Sequence, residues 1–173
     1  MVPAAGEFIG NSLNATGLTT QAQSANRTVI APYVPAYDVT IDQIGASVST
    51  FIASALFKFV IYAADASGRP STVLRETGTI DAGSNGTKFV AVTSITLTAG
   101  TTYWIGVRSS SNATLRCLNV GATAPLTYTS AATPVAEGAL ILTETFANAA
   151  ATWTYAASQH SNALVPLILM RVA

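Results

Sequence analysis

His160 is the chain's one histidine and Cys117 its one cysteine, which narrows the available chemistry at once. A metal site built from several histidines is out of reach, and so are a cysteine-built zinc site and an intrachain disulfide framework. The sequence has no G-x-S-x-G nucleophile elbow, and its glycines are spread singly over turns rather than gathered in a phosphate loop. Cys117 sits in the alternating run Thr114-Leu115-Arg116-Cys117-Leu118 and reads as a small buried hydrophobe. Eight acidic residues remain. Asp38 with Asp42, and Glu137 with Glu144, are the pairs that a glycosidase could set across a sugar cleft. Asp65 with Ser67, and Asp81 with Ser84 and Asn85, offer oxygen ligands, but a tight calcium site gathers several carboxylates. Turn and edge roles account for these residues without a reaction. The expectation is a non-enzyme with no metal and no cofactor.

Aromatic side chains are the remaining candidates for ligand contact. Trp153 and Tyr155 lie two apart, which places them on one face of an extended segment, with Asn148, Gln159, His160 and Asn162 nearby. Flat rings with amide neighbours suit a sugar surface, because the ring packs on the apolar sugar face while amides meet hydroxyls. The predicted ligand-binding residues are therefore Trp153, Tyr155, Asn148, Gln159 and His160. The competing reading is that the two rings fill the core or a subunit contact. Trp104, inside an apolar run, reads as core or interface. Asn-x-Ser/Thr triplets begin at Asn14, Asn26, Asn85 and Asn112, and a Thr- and Ser-rich chain produces such triplets by chance.

The elements that must position these residues are strands. Period-two runs bounded by turn residues recur, and helical spacing never persists. Strands are predicted over 27–33, 39–50 with Gly45 as a bulge, 57–62, 89–92, 95–97, 103–107, 115–120, 140–145, 153–155 and 164–172. The stretch 147–151 is alanine-rich and supports at most one helical turn. Asp65 to Pro70, Asp81 to Gly86 and Ala99-Gly100-Thr101 supply turn chemistry, with Asn85-Gly86 suited to a type I′ turn. About nine short strands without a helix predict an all-β, antiparallel two-sheet sandwich, jelly-roll-like in wiring. Residues 1–26 read as an N-terminal arm or linker and 27–173 as the sandwich domain. The segment 121–138 reads as a long loop of the kind used in function or assembly.

Composition bounds the setting. In 173 residues, 8 Lys+Arg balance 8 Asp+Glu, and charged residues make up 9%, against about 25% in an average soluble domain. Without clustered cations the chain is not a nucleic-acid binder. Nothing reads as a secretory signal or as a segment inserted in a membrane. Outward strand positions filled by Thr, Ser, Asn, Gln and Ala cost little to desolvate, so association is expected, as a homo-oligomer or on a larger particle.

Three stretches together are similar to a known family. Residues 27–33 lead into 39–45; Phe59 to Pro70 follows, with its Asp-Ala-Ser-Gly-Arg-Pro turn; then comes Leu97 to Val107, with Gly100-Thr101-Thr102-Tyr103-Trp104. This order, with the ending 166–173, resembles the C-terminal β-sandwich domain of tailed-phage fibre and spike proteins and of phage-derived gene transfer particles. The likeness covers 27–120 and the last residues, all scaffold; 121–163 falls outside it. It implies a virion surface protein that recognises a host-envelope glycan, forms a homotrimer and meets other virion proteins through the N-terminal arm. Two other classes stay open: a purely structural capsid-decoration or tail-assembly subunit, and a carbohydrate-binding module of a secreted protein.

Overall fold

The computed structural model describes residues 2–11, 17–119, 139–161 and 163–173. Thirteen strands and one short 3-10 turn follow in order: β1 (Phe8–Gly10), β2 (Leu18–Ala22), β3 (Arg27–Tyr33), β4 (Val39–Thr50), β5 (Leu56–Ala64), β6 (Pro70–Glu76), β7 (Ile80–Asp81), β8 (Gly86–Leu97), β9 (Tyr103–Ser109), β10 (Thr114–Leu118), β11 (Ala139–Thr143), the 3-10 turn (Ala157–Gln159), β12 (His160–Ser161) and β13 (Ile168–Val172). They form two antiparallel sheets packed face to face. In sheet I, β4 pairs with β8 on one side and with β13 and β10 on the other; β1 extends β13 and β2 extends β10. Sheet II runs β12-β11-β3-β9-β5-β6, with β7 also on β5. From β3 to β5, and again from β6 through β8, β9, β10 and β11, the chain crosses between the two sheets of the sandwich. The β5–β6 pair is the main hairpin.

Alternation along the strands builds the interior. Ile41, Ile44 and Val48 of β4 meet Phe57, Phe59 and Ile61 of β5 and Ile105 and Val107 of β9 between the sheets, with Leu115, Cys117, Ile168 and Met170. A second group around Val29, Ile141 and Val165 continues this layer. The residues between them on the sheet II strands point the other way, yet Val60, Tyr62 and Trp104 are also buried. A third cluster covers this outer face: Ile30, Val60, Tyr62, Trp104 and Leu140 pack beneath Trp153. Residues 144–159 thus form a strap across the back of sheet II. All seven residues of β9 are buried because the core lies on one side and the strap on the other.

Several local expectations change. Within residues 1–26, read as an arm or linker, β1 and β2 pair as edge strands of sheet I. The stretch 153–155 is not a strand but part of the strap, which touches β6 through one bridge, Thr72 to Thr152. The bulge in β4 against β8 falls between Ile41 and Gln43, not at Gly45. Gly45 serves close approach instead, since a Cβ there would stand 2.2 Å from the Lys88 carbonyl oxygen and 2.5 Å from the Phe89 ring. Gly86 has a φ of 116° but Asn85 does not have positive φ, so the pair is not a type I′ turn. It joins β7 of one sheet to β8 of the other, where no tight hairpin is needed. Glu137 and 121–138 lie outside the described residues, as do Asn14 and Asn162.

Candidate functional site

The turn Asp65 to Pro70 closes the β5–β6 hairpin at one end of sheet II. The Asp65 carboxylate accepts the Ser67 and Arg69 amides at 2.8 and 3.0 Å. Gly68 takes a φ of 77°, donates its amide to the Asp65 carbonyl, and accepts the Trp104 indole N–H at 2.9 Å through its own carbonyl. A side-chain acceptor, a residue free to adopt positive φ and an anchor from β9 fix the turn. Arg69 leaves it with its guanidinium 4.4 Å from the centre of the Tyr155 ring, a cation–π contact.

Tyr155 is half-buried and leans on the third cluster. Its hydroxyl lies 2.8 Å from His160 Nε2, and the two rings meet edge to face at 5.8 Å. His160 is brought there by β12, which pairs it with Leu140 of β11. Arg69, Tyr155 and His160 therefore come from a hairpin turn, a strap and an edge strand, and converge at one end of sheet II.

The other predicted site residues separate. Trp153 is 3% exposed, meets Tyr62 edge to face at 5.4 Å and donates its indole N–H to Gln159 Oε1 at 2.9 Å. A ring so placed covers the sheet and offers no face to a ligand. Gln159 is equally occupied: Oε1 also accepts the Ala156 amide, and Nε2 donates to the Thr154 carbonyl. It staples the strap around Trp153. Asn148 is exposed, but it follows Ala147, whose carbonyl accepts from Lys58. Lys58 lies six residues along β5 from Ala64, where the hairpin turn begins, roughly 20 Å at strand rise. Asn148 is thus at the far end of the strap from Tyr155.

At that far end the strap rests on charges. Arg108, 1% exposed, meets Glu76 and Glu144 at 3.5 Å each and donates to the Thr145 carbonyl. Glu144 accepts the Thr28 hydroxyl at 2.6 Å, Glu76 accepts the Ala149 amide at 3.0 Å, and Lys58 pairs with Glu76 at 3.6 Å. Two carboxylates and two cations balance. Burial, then the nearby Glu144 carboxylate, pushes the Tyr62 hydroxyl well above its ordinary pKa. The group locks the strap, its acids paired with cations.

The same accounting covers the other acids. Asp38 accepts the Ala99 amide, Asp81 the Gly83 amide and Glu7 the Ala4 amide. Asp42 makes two hydrogen bonds with Arg171 at 2.9 and 2.6 Å. Seven of the eight acids are described, and each is committed to a turn, a cap or an ion pair. The three described asparagines of the triplets are structural as well: the Oδ1 atoms of Asn26, Asn85 and Asn112 accept the amides of Phe146, Phe51 and Ala25. Among the described residues no group of three or more His, Cys, Asp or Glu is gathered to hold a metal, and no helix is long and apolar enough to cross a membrane.

Sequence reasoning missed Arg69. Its signal was present in the Asp-Ala-Ser-Gly-Arg-Pro turn, but the contact with Tyr155 bridges 86 positions (155 − 69) that no local pattern links. A cleft of 220 Å³ lined by Pro3, Ile9, Tyr33, Pro35, Tyr37 and Val39 lies away from this cluster, where the N-terminal segment crosses the β3–β4 connection. No family model matches the chain, and no curated protein matches it.

Proposed function

We propose that this chain is a non-catalytic surface domain of a phage-like particle, a fibre, spike or tail-tip domain, that recognises a glycan of the host envelope. The cluster of Arg69, Tyr155 and His160 carries the proposal: an aromatic, a cation and an imidazole from three segments, held by hydrogen bonds at the accessible end of sheet II. The commitment of seven carboxylates to structural partners supports the non-catalytic part. The likeness of 27–120 to phage fibre and spike domains supplies the setting. Shallow sites of this kind gain avidity when repeated over an oligomer, and a homotrimer suits that use.

A purely structural role is the second reading. Phe8 and Phe89 meet at 4.8 Å, their rings tilted by 41°, on the outer face of sheet I and remain 51% and 37% exposed, a surface suited to packing against neighbouring virion subunits. The two readings part on a glycan array. Saturable binding to host-envelope glycans by the wild-type protein, reduced tenfold or more in Tyr155→Ala with the fold intact, supports recognition. No binding by a folded oligomer overturns it in favour of the structural role.

A further inference from the structure

We infer that the Arg69–Tyr155–His160 cluster takes an anionic saccharide, the guanidinium of Arg69 receiving an oxyanion carried by the sugar. The assignment rests on the recognition reading above and narrows its ligand class.

Arg69 is exposed, and its guanidinium has no hydrogen bond or ion pair among the described residues. Arg108 and Arg171 are ion-paired and Arg75 donates to the carbonyls of Thr93 and Ser94; Arg116 is exposed in the same way as Arg69, and the ring beneath the guanidinium is what sets Arg69 apart from it. A guanidinium presents five donors in a planar fork that matches an oxyanion two bonds at a time. An arginine on a mobile stem loses rotamer freedom when it binds. Arg69 has already lost part of it: the backbone is fixed by Asp65 and by the Trp104 indole, and the head rests on the Tyr155 ring. Tyr155 is in turn held by His160. The guanidinium is exposed above the Tyr155 ring, with its N–H groups unspent among the described residues.

The donors of the fork favour an anion. Asp65 is the acid in the same turn, and its carboxylate is turned to two backbone amides rather than to the guanidinium of Arg69. The four charges of the Arg108 cluster balance and lie toward the far end of β5. A neutral sugar would leave the donors of Arg69 paired only with water. An oxyanion engages them in charge-assisted bonds, while the apolar ring face of the sugar lies against the stacked guanidinium and tyrosine.

The experiment uses the full chain in calorimetric titration at low and at physiological salt. The probes are an oligogalacturonate, the same oligomer with its carboxyls methyl-esterified, and a hexose phosphate. Arg69→Gln is titrated alongside, with its thermal midpoint and tryptophan emission checked against wild type. Supporting results are saturable binding of the oligogalacturonate or the hexose phosphate, weakened tenfold or more by Arg69→Gln and by added salt. The ester then binds at least tenfold more weakly than the acid, and comparison of acid with phosphate identifies the oxyanion. Equal binding of acid and ester, or binding unchanged in Arg69→Gln, overturns the anion assignment while leaving sugar recognition standing. Binding of array glycans that are all neutral has the same meaning. No binding to any probe or array glycan overturns both readings.

Discussion

Cys117 and Asp42 show how position decides what a reactive type does. The Cys117 thiol sits in the intersheet core, and burial pushes its pKa up to about 12. At pH 8 it stays protonated and shielded, and thiolate is the species that reacts. A disulfide-exchange reagent is expected to leave the native protein unmodified and to label one thiol per chain in denaturant; rapid native labelling would contradict that placement. Asp42 shifts the opposite way. Its hydrogen bonds with Arg171 hold its carboxyl below the usual carboxylate range. A group with a depressed folded-state pKa adds stability above its unfolded pKa, and that stability is lost as pH falls through the folded pKa. Asp42→Asn is therefore expected to lower the urea midpoint at pH 7 and to have progressively less effect below pH 4, the two curves merging at strong acid. Turn roles for Asp65 and Asp81 were legible because an aspartate followed two or three residues on by glycine is a local signal. The stacking of Arg69 on Tyr155 was not, since it depends on where a strap crosses a sheet.

The strap is the element that organises the back of sheet II. Trp153 fills the third cluster, the Arg108 group pins the first turn of the strap, and backbone bonds from Val73 to Ala151 and from Trp153 to Ser71 cover the free edge of β6. Trp153→Ala is expected to cost about 3–5 kcal/mol, the range for emptying a buried tryptophan site, measured by urea denaturation. It should also raise binding of a hydrophobic dye as Val60, Tyr62 and Trp104 lose their cover. A change under about 1 kcal/mol would mean that the strap does not seal the back of sheet II. The apolar run Tyr103-Trp104-Ile105-Gly106-Val107 made Trp104 read as core or interface, and all of β9 is buried. What covered the second face was hidden, because an Ala- and Thr-rich strap has no periodicity of its own. β1 and β2 were missed for a related reason: edge strands of three and five residues are too short to show alternation and borrow their order from the neighbours they pair with, here β13 and β10.

At the scale of the whole molecule, the two-sheet sandwich followed from alternation and turn chemistry, whereas assembly and ligand did not. Low charge is compatible with association, and sheet I presents the Phe8–Phe89 pair on a face whose described charges include the Asp42–Arg171 pair. The protein is expected to be a homotrimer in solution, read by light scattering coupled to size exclusion, and Phe8→Ser with Phe89→Ser is expected to shift it toward monomer. A wild-type monomer at micromolar concentration would contradict the avidity argument.

The most direct measurement is the amide spectrum of the isotope-labelled protein during titration with host-envelope glycans. Recognition at the proposed site predicts saturable shifts confined to the 65–70 turn and to 153–161. Shifts centred on the Tyr33–Tyr37 cleft, or a spectrum that does not move, would contradict it.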